Sequence, residues 1–192
     1  QGVWLEAHDV HLVWDYPNLL RRRFSAQLVE ARLIRVLRRP RLGPSGEPRP
    51  MPVSVHIARA QARLLLEPAF SGEQGIYDVG MELNLGRRGR RSAQVHAESE
   101  LQPGDHLDLD FAIGGRRPLR IVADAVEARG GAMAGALGLP SDRPFMLFVR
   151  AHGRNAEGRF TARARSGDAV PLAAAGAWNR QGGQAGGRVL LT

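Results

Sequence analysis

The sequence contains no cysteine and no lysine, and both absences narrow what the protein can be. Without cysteine there are no disulfides, no thiolate metal ligands and no cysteine nucleophile. All 27 basic residues are arginines, which against 19 acidic residues give a formal net charge of +8. Nucleic-acid-binding domains normally use both basic residue types, whereas an arginine-only, Ala- and Gly-rich composition is typical of GC-rich coding. We therefore expect no nucleic acid partner despite the charge.

Long apolar runs and catalytic motifs are also missing. No run approaches the ~18 residues that a membrane-spanning helix needs, and no signal-peptide core is present. There is no GxSxG elbow, HExxH helix, P-loop or GxGxxG after a strand, so we expect no catalytic residues and no cofactor. The chain begins at Gln1 rather than Met. This indicates a processed or excised N-terminus and leaves room for a lost targeting or anchoring segment.

The most regular stretch that is present, 101–127, predicts one long β-hairpin. Apolar and polar residues alternate strictly along its first half, which is typical of a strand with one apolar and one solvated face. The apolar set is Leu107, Leu109, Phe111 and Ile113, and the polar set is His106, Asp108 and Asp110. A Gly-Gly-Arg-Arg turn follows, and the apolar alternation resumes at Leu119 and Ile121.

The rest of the chain repeats this pattern and predicts an all-β fold with about a dozen short strands. We expect two strands within 2–15, further strands at 169–175, 177–180 and 187–191, and β-bulges where the phase slips, at 28–29, 33–34 and 57–58. A short helix fits 132–139. The Pro- and Arg-rich stretch 38–52 predicts a mobile loop. Residues 1–192 therefore form one β-rich segment, an elongated, curved, mostly antiparallel sheet with an apolar concave face and little helix.

Two groups of polar residues have spacings that a metal site could use. His106, Asp108 and Asp110 share one strand face, and His8 and His11 flank Asp9. Metal sites usually draw ligands from separate elements that a second shell orients. We therefore interpret both groups as solvated strand faces and expect no metal.

A continuous apolar face needs a cover: a second sheet, closure of the sheet, or an apolar ligand. Because much of this face is Ala, Val and Leu rather than bulky core residues, a wide groove is favoured. A self-contained β-sandwich that binds carbohydrate or protein is the main alternative. A PilZ-like nucleotide-binding barrel would explain the arginines at 21–23, but the D-x-S-x-x-G signature lacks its serine after Asp78.

The opening forty residues resemble the N-terminal region of the TamB group of AsmA-like proteins. The shared pattern is a G-x-W-L start, a strand ending in tryptophan, an L-L turn, and a basic segment before a strand closing on R-R-P. These are residues 2–5, Trp14, Leu19-Leu20, 21–23 and 38–40. The later stretches GDHLDLDFAIGGRRPLRI, GALGLPSDRPFMLFVRAHG and AAGAWNRQGGQAGGRVLL also look like the repeating strands of that group.

This resemblance implies a periplasmic segment of a longer protein, anchored to the inner membrane through a segment missing from this chain. It implies a β-taco, a trough-shaped sheet that conducts phospholipid between inner and outer membranes and supports outer-membrane assembly and protein secretion. The expected partners are phospholipid acyl chains. An outer-membrane barrel protein would contact the parent protein, through a region outside this chain.

The predicted lipid groove is lined by the apolar positions of the most regular strands. They are Tyr77, Val79, Met81, Leu83, Leu85, Leu107, Leu109, Phe111, Ile113, Leu119, Ile121, Phe145, Leu147 and Val149.

Overall fold

The computed structural model describes residues 3–40, 52–87, 89–114, 118–154, 157–179 and 182–189. The strands are β1 (Leu5–Trp14), β2 (Arg23–Val36), β3 (Ser54–Leu66), β4 (Gly75–Leu85), β5 (Arg91–Ser99), β6 (His106–Ile113), β7 (Leu119–Glu127), β8 (Phe145–Arg154), β9 (Glu157–Ser166), β10 (Ala169–Asn179) and β11 (Gly182–Val189). Three short helices join them: α1 (Tyr16–Leu20), α2 (Pro68–Ser71) and α3 (Ala132–Ala136). No helix in these ranges has the length and apolar content to cross a bilayer.

All eleven strands form one sheet in which spatial order equals sequence order, from β1 to β11. Nine of the neighbouring pairs are antiparallel, and β2 and β3 are parallel. The sheet is mostly antiparallel, is not closed into a barrel and has the form of a curved trough, which confirms the predicted fold class. The strict alternation of 107–113 becomes β6, paired antiparallel to β7 as predicted.

The phase slips in the sequence mostly coincide with irregular pairing. The register shifts between Ala31 and Ile34 and between Ile57 and Ala60, as predicted, whereas the slip expected at 28–29 lies one position earlier, opposite Val13 and Trp14. These irregularities keep successive apolar residues on one face although the sequence changes phase.

The predicted strand boundaries are wrong at both ends of the chain. Residues 5–14 form a single strand because Asp9 takes a positive φ of 51°, which turns the following apolar residues back to the same face. Residues 169–179 are likewise continuous, and the Gly-rich segment 182–189 pairs with them without any apolar alternation. Residues 41–51 of the predicted loop 38–52 lie outside the described residues.

The helices α2 and α3 lie at one end of the strands. The first is in the loop that joins β3 to β4, and the second is in the loop that joins β7 to β8. They pack on the apolar face of the strand ends nearest them. The larger of the two buried clusters beneath them contains Val36, Leu66, Tyr77, Ala97 and Ala132, and the other contains Ala125, Ala134, Phe145 and Ala164. The apolar face therefore has a side that is covered and a side that is not.

Candidate functional site

All fourteen predicted groove residues lie on the apolar face of the sheet. The pairing register places them in rows that cross the strands, and the row Met81–Val95–Leu109–Ala123–Val149 runs from β4 to β8 without a polar residue. The neighbouring row contains Leu83, Ala93, Phe111, Ile121 and Ala151. The sheet thus brings together residues that are up to about 70 positions apart in sequence.

The structure divides these fourteen residues into two groups. Tyr77 and Phe145 are buried, with Phe145 0% exposed, because they lie beneath α2 and α3. Val79, Leu107 and Leu147 pack against these buried residues. We call this side of the apolar face the covered half; here the side chains pack against protein.

The remaining nine residues belong to neither buried cluster and form what we call the open half. Each is partly exposed to solvent, and Ile113 is 40% exposed. In a sealed core such residues would be excluded from water, so this surface is available for apolar contact. The open half comprises Met81, Leu83, Leu85, Leu109, Phe111, Ile113, Leu119, Ile121 and Val149.

A buried carboxylate fastens α3 onto the covered half. Glu127 is 1% exposed and accepts hydrogen bonds from the Tyr77 hydroxyl at 2.9 Å and from the backbone N–H groups of Met133 and Ala134 at 2.9 and 2.8 Å. Burial, with a further contribution from Glu127, raises the pKa of the Tyr77 phenol, which therefore stays protonated as a donor. The carboxylate thus satisfies two N–H groups at the start of a helix that has no capping side chain of its own.

The two short helices are also joined to each other. The guanidinium of Arg39 donates to the backbone oxygens of Phe70, at 3.2 Å, and Gly135, at 2.9 Å. A Cβ at Gly135 would collide with the backbone carbonyl of Ser71, so glycine is required where α2 and α3 meet. We call these two helices, with Arg39 and Glu127, the helical cover.

At the opposite end of the strands, an indole ring borders the open half. Trp178 of β10 covers Gly158 of β9 and Gly153 of β8, and a Cβ at either glycine would collide with its ring. These residues border a concavity of about 740 Å³ that also includes Leu119. Because both residues are glycines, the aromatic ring can lie directly against the backbone at this end of the strands.

The outer face of β1 to β7 carries the polar residues that sequence analysis singled out, but it disperses them into separate pairs. His96 bonds Asp108 at 2.6 Å, His106 bonds Asp124 at 3.4 Å, and Arg120 bonds Asp110 at 3.1 Å. His11 lies 3.7 Å from Glu30, while His8 lies 3.7 Å from Glu6, and Asp9 pairs with Arg32. Within the described ranges, no group of three or more His, Asp or Glu residues is arranged to hold a metal ion.

These pairs line two shallow concavities of about 660 and 460 Å³ on the outer face. Their walls contain basic side chains, arginine and histidine, next to acidic carboxylates. The hydrogen bond to Asp108 raises the pKa of His96, with Glu98 adding to the effect, and the bond to the Gly104 carbonyl, followed by Asp124, raises the pKa of His106. The charged groups of the outer concavities are thus already paired with one another, whereas the surface of the open half consists of apolar side chains.

Sequence reasoning missed the helical cover. The signal was present at Glu127, which continues the apolar phase of Ala123 and Ala125 and so places a carboxylate on the apolar face. An acidic residue in that phase requires buried donors, and the short helix expected at 132–139 was the nearest source of free N–H groups.

Comparison with known proteins identifies no relative: no protein-family model, no curated protein and no solved structure matches the chain.

Proposed function

We propose that the open half is a groove that binds the acyl chains of phospholipids, so that the segment conducts lipid along the sheet. One observation carries the proposal: the two rows that begin at Met81 and Leu83 cross β4 to β8 without a charged residue, and the helical cover does not reach them. Charge enters only in the next row, where Arg91 lies between Leu85 and Ile113. Contiguous exposed apolar surface of this kind marks binding sites in soluble proteins. The sheet is not closed into a barrel, so no opposite wall of described strands covers this surface.

Apolar contact suits movement as well as binding. Removing an acyl chain from water contributes about 0.8 kcal/mol for each CH₂ group, and this attraction has no preferred direction. A chain can therefore shift from one row of side chains to the next without breaking a specific hydrogen bond. The polar headgroup would remain in water outside the trough, and no anchoring residue is required.

The cellular setting that we propose follows the resemblance of the N-terminal region. The chain would be part of a longer periplasmic protein, anchored in the inner membrane, whose groove connects inner and outer membranes and supports envelope assembly. The trough-shaped sheet supports this setting because a groove open along its length can continue into neighbouring segments. Contact with an outer-membrane barrel protein would use another part of the parent protein.

A binding module for carbohydrate or protein is the competing proposal. In its sandwich form it needs a second sheet over the apolar face, and the described strands all belong to one sheet. Carbohydrate sites also rely on aromatic platforms with polar partners, whereas Phe111 is the one aromatic among the nine residues of the open half, and Trp178 at its end lies against the backbone of Gly153 and Gly158. The structure therefore favours the apolar ligand.

The test compares two adjacent positions of β6 in the full-length protein. Leu109 lies on the open half and Asp108 on the outer face. A photoreactive residue at position 109 should crosslink phospholipid, and one at position 108 should not. Leu109→Asp should block lipid transfer because an ion in the groove meets a passing acyl chain at a cost of several kcal/mol, whereas Asp108→Arg should leave transfer intact.

The control for folding is built into the same pair. Because Leu109 is partly exposed, Leu109→Asp should keep the β circular dichroism spectrum of the parent protein. Equal labelling at the two positions, or no lipid at position 109, would refute the groove.

A further inference from the structure

The outer face of β8 and β9 holds four arginines close together. Arg159, Arg163 and Arg165 are outward-facing residues of β9, and Arg150 occupies the neighbouring position on β8. All four are exposed. None of the ion pairs in the part of the chain that the structure describes includes any of them. We call these four residues the basic patch.

The other half of the outer face shows what paired arginines look like in this fold. Arg32 pairs with Asp9, Arg63 with Glu100, and Arg120 with Asp110 at 3.1 Å. Between 145 and 179, by contrast, the described acidic residues lie at strand ends or turns: one begins β9 and one lies in the turn before β10. On the adjacent strand β7, Asp124 lies opposite Phe148 and contacts His106 rather than an arginine of the basic patch.

Apolar side chains are set among these arginines. Met146 pairs in register with Arg165 and is 51% exposed, and Phe148 pairs with Arg163. The guanidinium of Arg150 lies 4.8 Å from the centroid of the Phe148 ring. On the next strand, the outward positions are the small residues Ala173, Ala175 and Ala177, so the arginines project above a low surface.

We propose that the basic patch binds the anionic headgroup surface of a phospholipid membrane. A guanidinium can form two parallel hydrogen bonds with a phosphate, and basic residues near an anionic bilayer are attracted to its surface potential. Exposed Met146 and half-buried Phe148 add the apolar contact that interfacial binding uses. Arginines spread over two neighbouring strands match an extended charged surface better than a narrow polymer.

The same residues argue against nucleic acid as the occupant. Proteins that bind single strands stack bases on aromatic rings, and Arg150 already lies over the Phe148 ring. The patch lies on the opposite face from the groove, so this proposal goes beyond the proposed function and can fail separately from it.

The experiment is sedimentation of the protein with vesicles of equimolar phosphatidylcholine and phosphatidylglycerol, against vesicles of phosphatidylcholine alone. We expect binding to the anionic vesicles that weakens as salt is raised. The variant R159Q/R163Q/R165Q should lower the affinity by about fivefold for each arginine, or about a hundredfold in total. M146S/F148S should weaken binding further when combined with it.

The matched control removes the same charge from paired positions. R32Q/R63Q replaces two arginines on β2 and β3, which lie at least five strands, or about 24 Å, from β8. Its affinity should stay within about threefold of the unmodified protein because that separation exceeds a Debye length, whereas R163Q/R165Q should lower the affinity by about twenty-five-fold. Both variants replace exposed side chains, so unchanged thermal midpoints verify their folding. Equal loss in the two variants, binding to both vesicle types, or preferential capture of duplex DNA or of an acidic protein would each overturn the proposal. Lipid crosslinking at position 109 should be the same in both variants.

Discussion

The covered and open halves of the apolar face have similar side chains but different surroundings. Phe145 and Phe111 illustrate the difference: both are phenylalanines on the same face of the same sheet, yet Phe145 is 0% exposed and Phe111 is in contact with solvent. What separates them is nine helical residues and one buried carboxylate. In this fold, a strand pattern therefore specifies which face is apolar, and the connecting loops decide how much of that face is available to a ligand.

Replacing the two phenylalanines tests this difference most strongly. Phe145→Ala should reduce the free energy of unfolding by about 3–5 kcal/mol, because it leaves a cavity beneath the helical cover. Phe111→Ala should cost about 1 kcal/mol, because its site is already in contact with water. Urea unfolding followed by circular dichroism measures both. Equal losses would mean that the open half is packed after all.

Glu127→Ala should have the next largest effect, a loss of about 2–3 kcal/mol, because it leaves buried N–H and hydroxyl donors without an acceptor. The amides of Met133 and Ala134 should lose protection from hydrogen exchange while the strands keep theirs. Glu82→Ala, at an exposed position on the outer face, serves as the control and should change stability by no more than about 0.5 kcal/mol. Retained protection at 133 and 134 would show that the cover does not depend on Glu127.

The smallest expected effect is a pH dependence of stability that arises from His96 on the outer face of β5. The pKa of His96 is raised mainly by Asp108, with Glu98 on the same strand as the other facing acid. A raised pKa in the folded state stabilises the protein below the ordinary histidine value, and this stabilisation disappears as pH rises through the folded-state pKa. Because both partners are more than half exposed, we expect a loss of a few tenths of a kcal/mol between about pH 6 and 8.

Unfolding midpoints at the two pH values measure this loss, and Asp108→Asn should reduce it. The comparison of the two halves predicts that the pH effect leaves hydrogen-exchange protection at Ala134 unchanged. A pH-dependent opening of the helical cover would link the two faces and contradict the separation that we describe.

The sheet could be predicted from the sequence because its signal is local. In 77–85 and 106–113 the alternation alone defines strand, face and partner, and the structure has β4 and β6 at those positions. The same holds for the bulge at 57–58, which the phase of the alanines reveals. The apolar face is a direct result of this periodicity.

The helical cover and the two terminal strands could not be predicted in the same way. Residues 132–136 are Ala, Met and Gly, which give no amphipathic pattern, and their position depends on bonds to Glu127 and to Arg39, which is 96 residues from Gly135. Half of the residues of β11 are glycine, and the strand is defined by pairing with β10 rather than by its side chains. Asp9 adopts a positive φ, which is rare for a residue with a side chain. In the sequence this appears as a break in the alternation, so the pattern predicts two strands where the structure has one.

The identity of spatial and sequence order gives the sheet a modular construction. Each strand contacts its sequence neighbours, as in repeat proteins, where units add along one axis. Adjacent strands are about 4.8 Å apart, so inserting one hairpin would lengthen the trough by about 10 Å and leave its cross-section unchanged. The length of such a sheet can therefore change in evolution by duplication or deletion of hairpins.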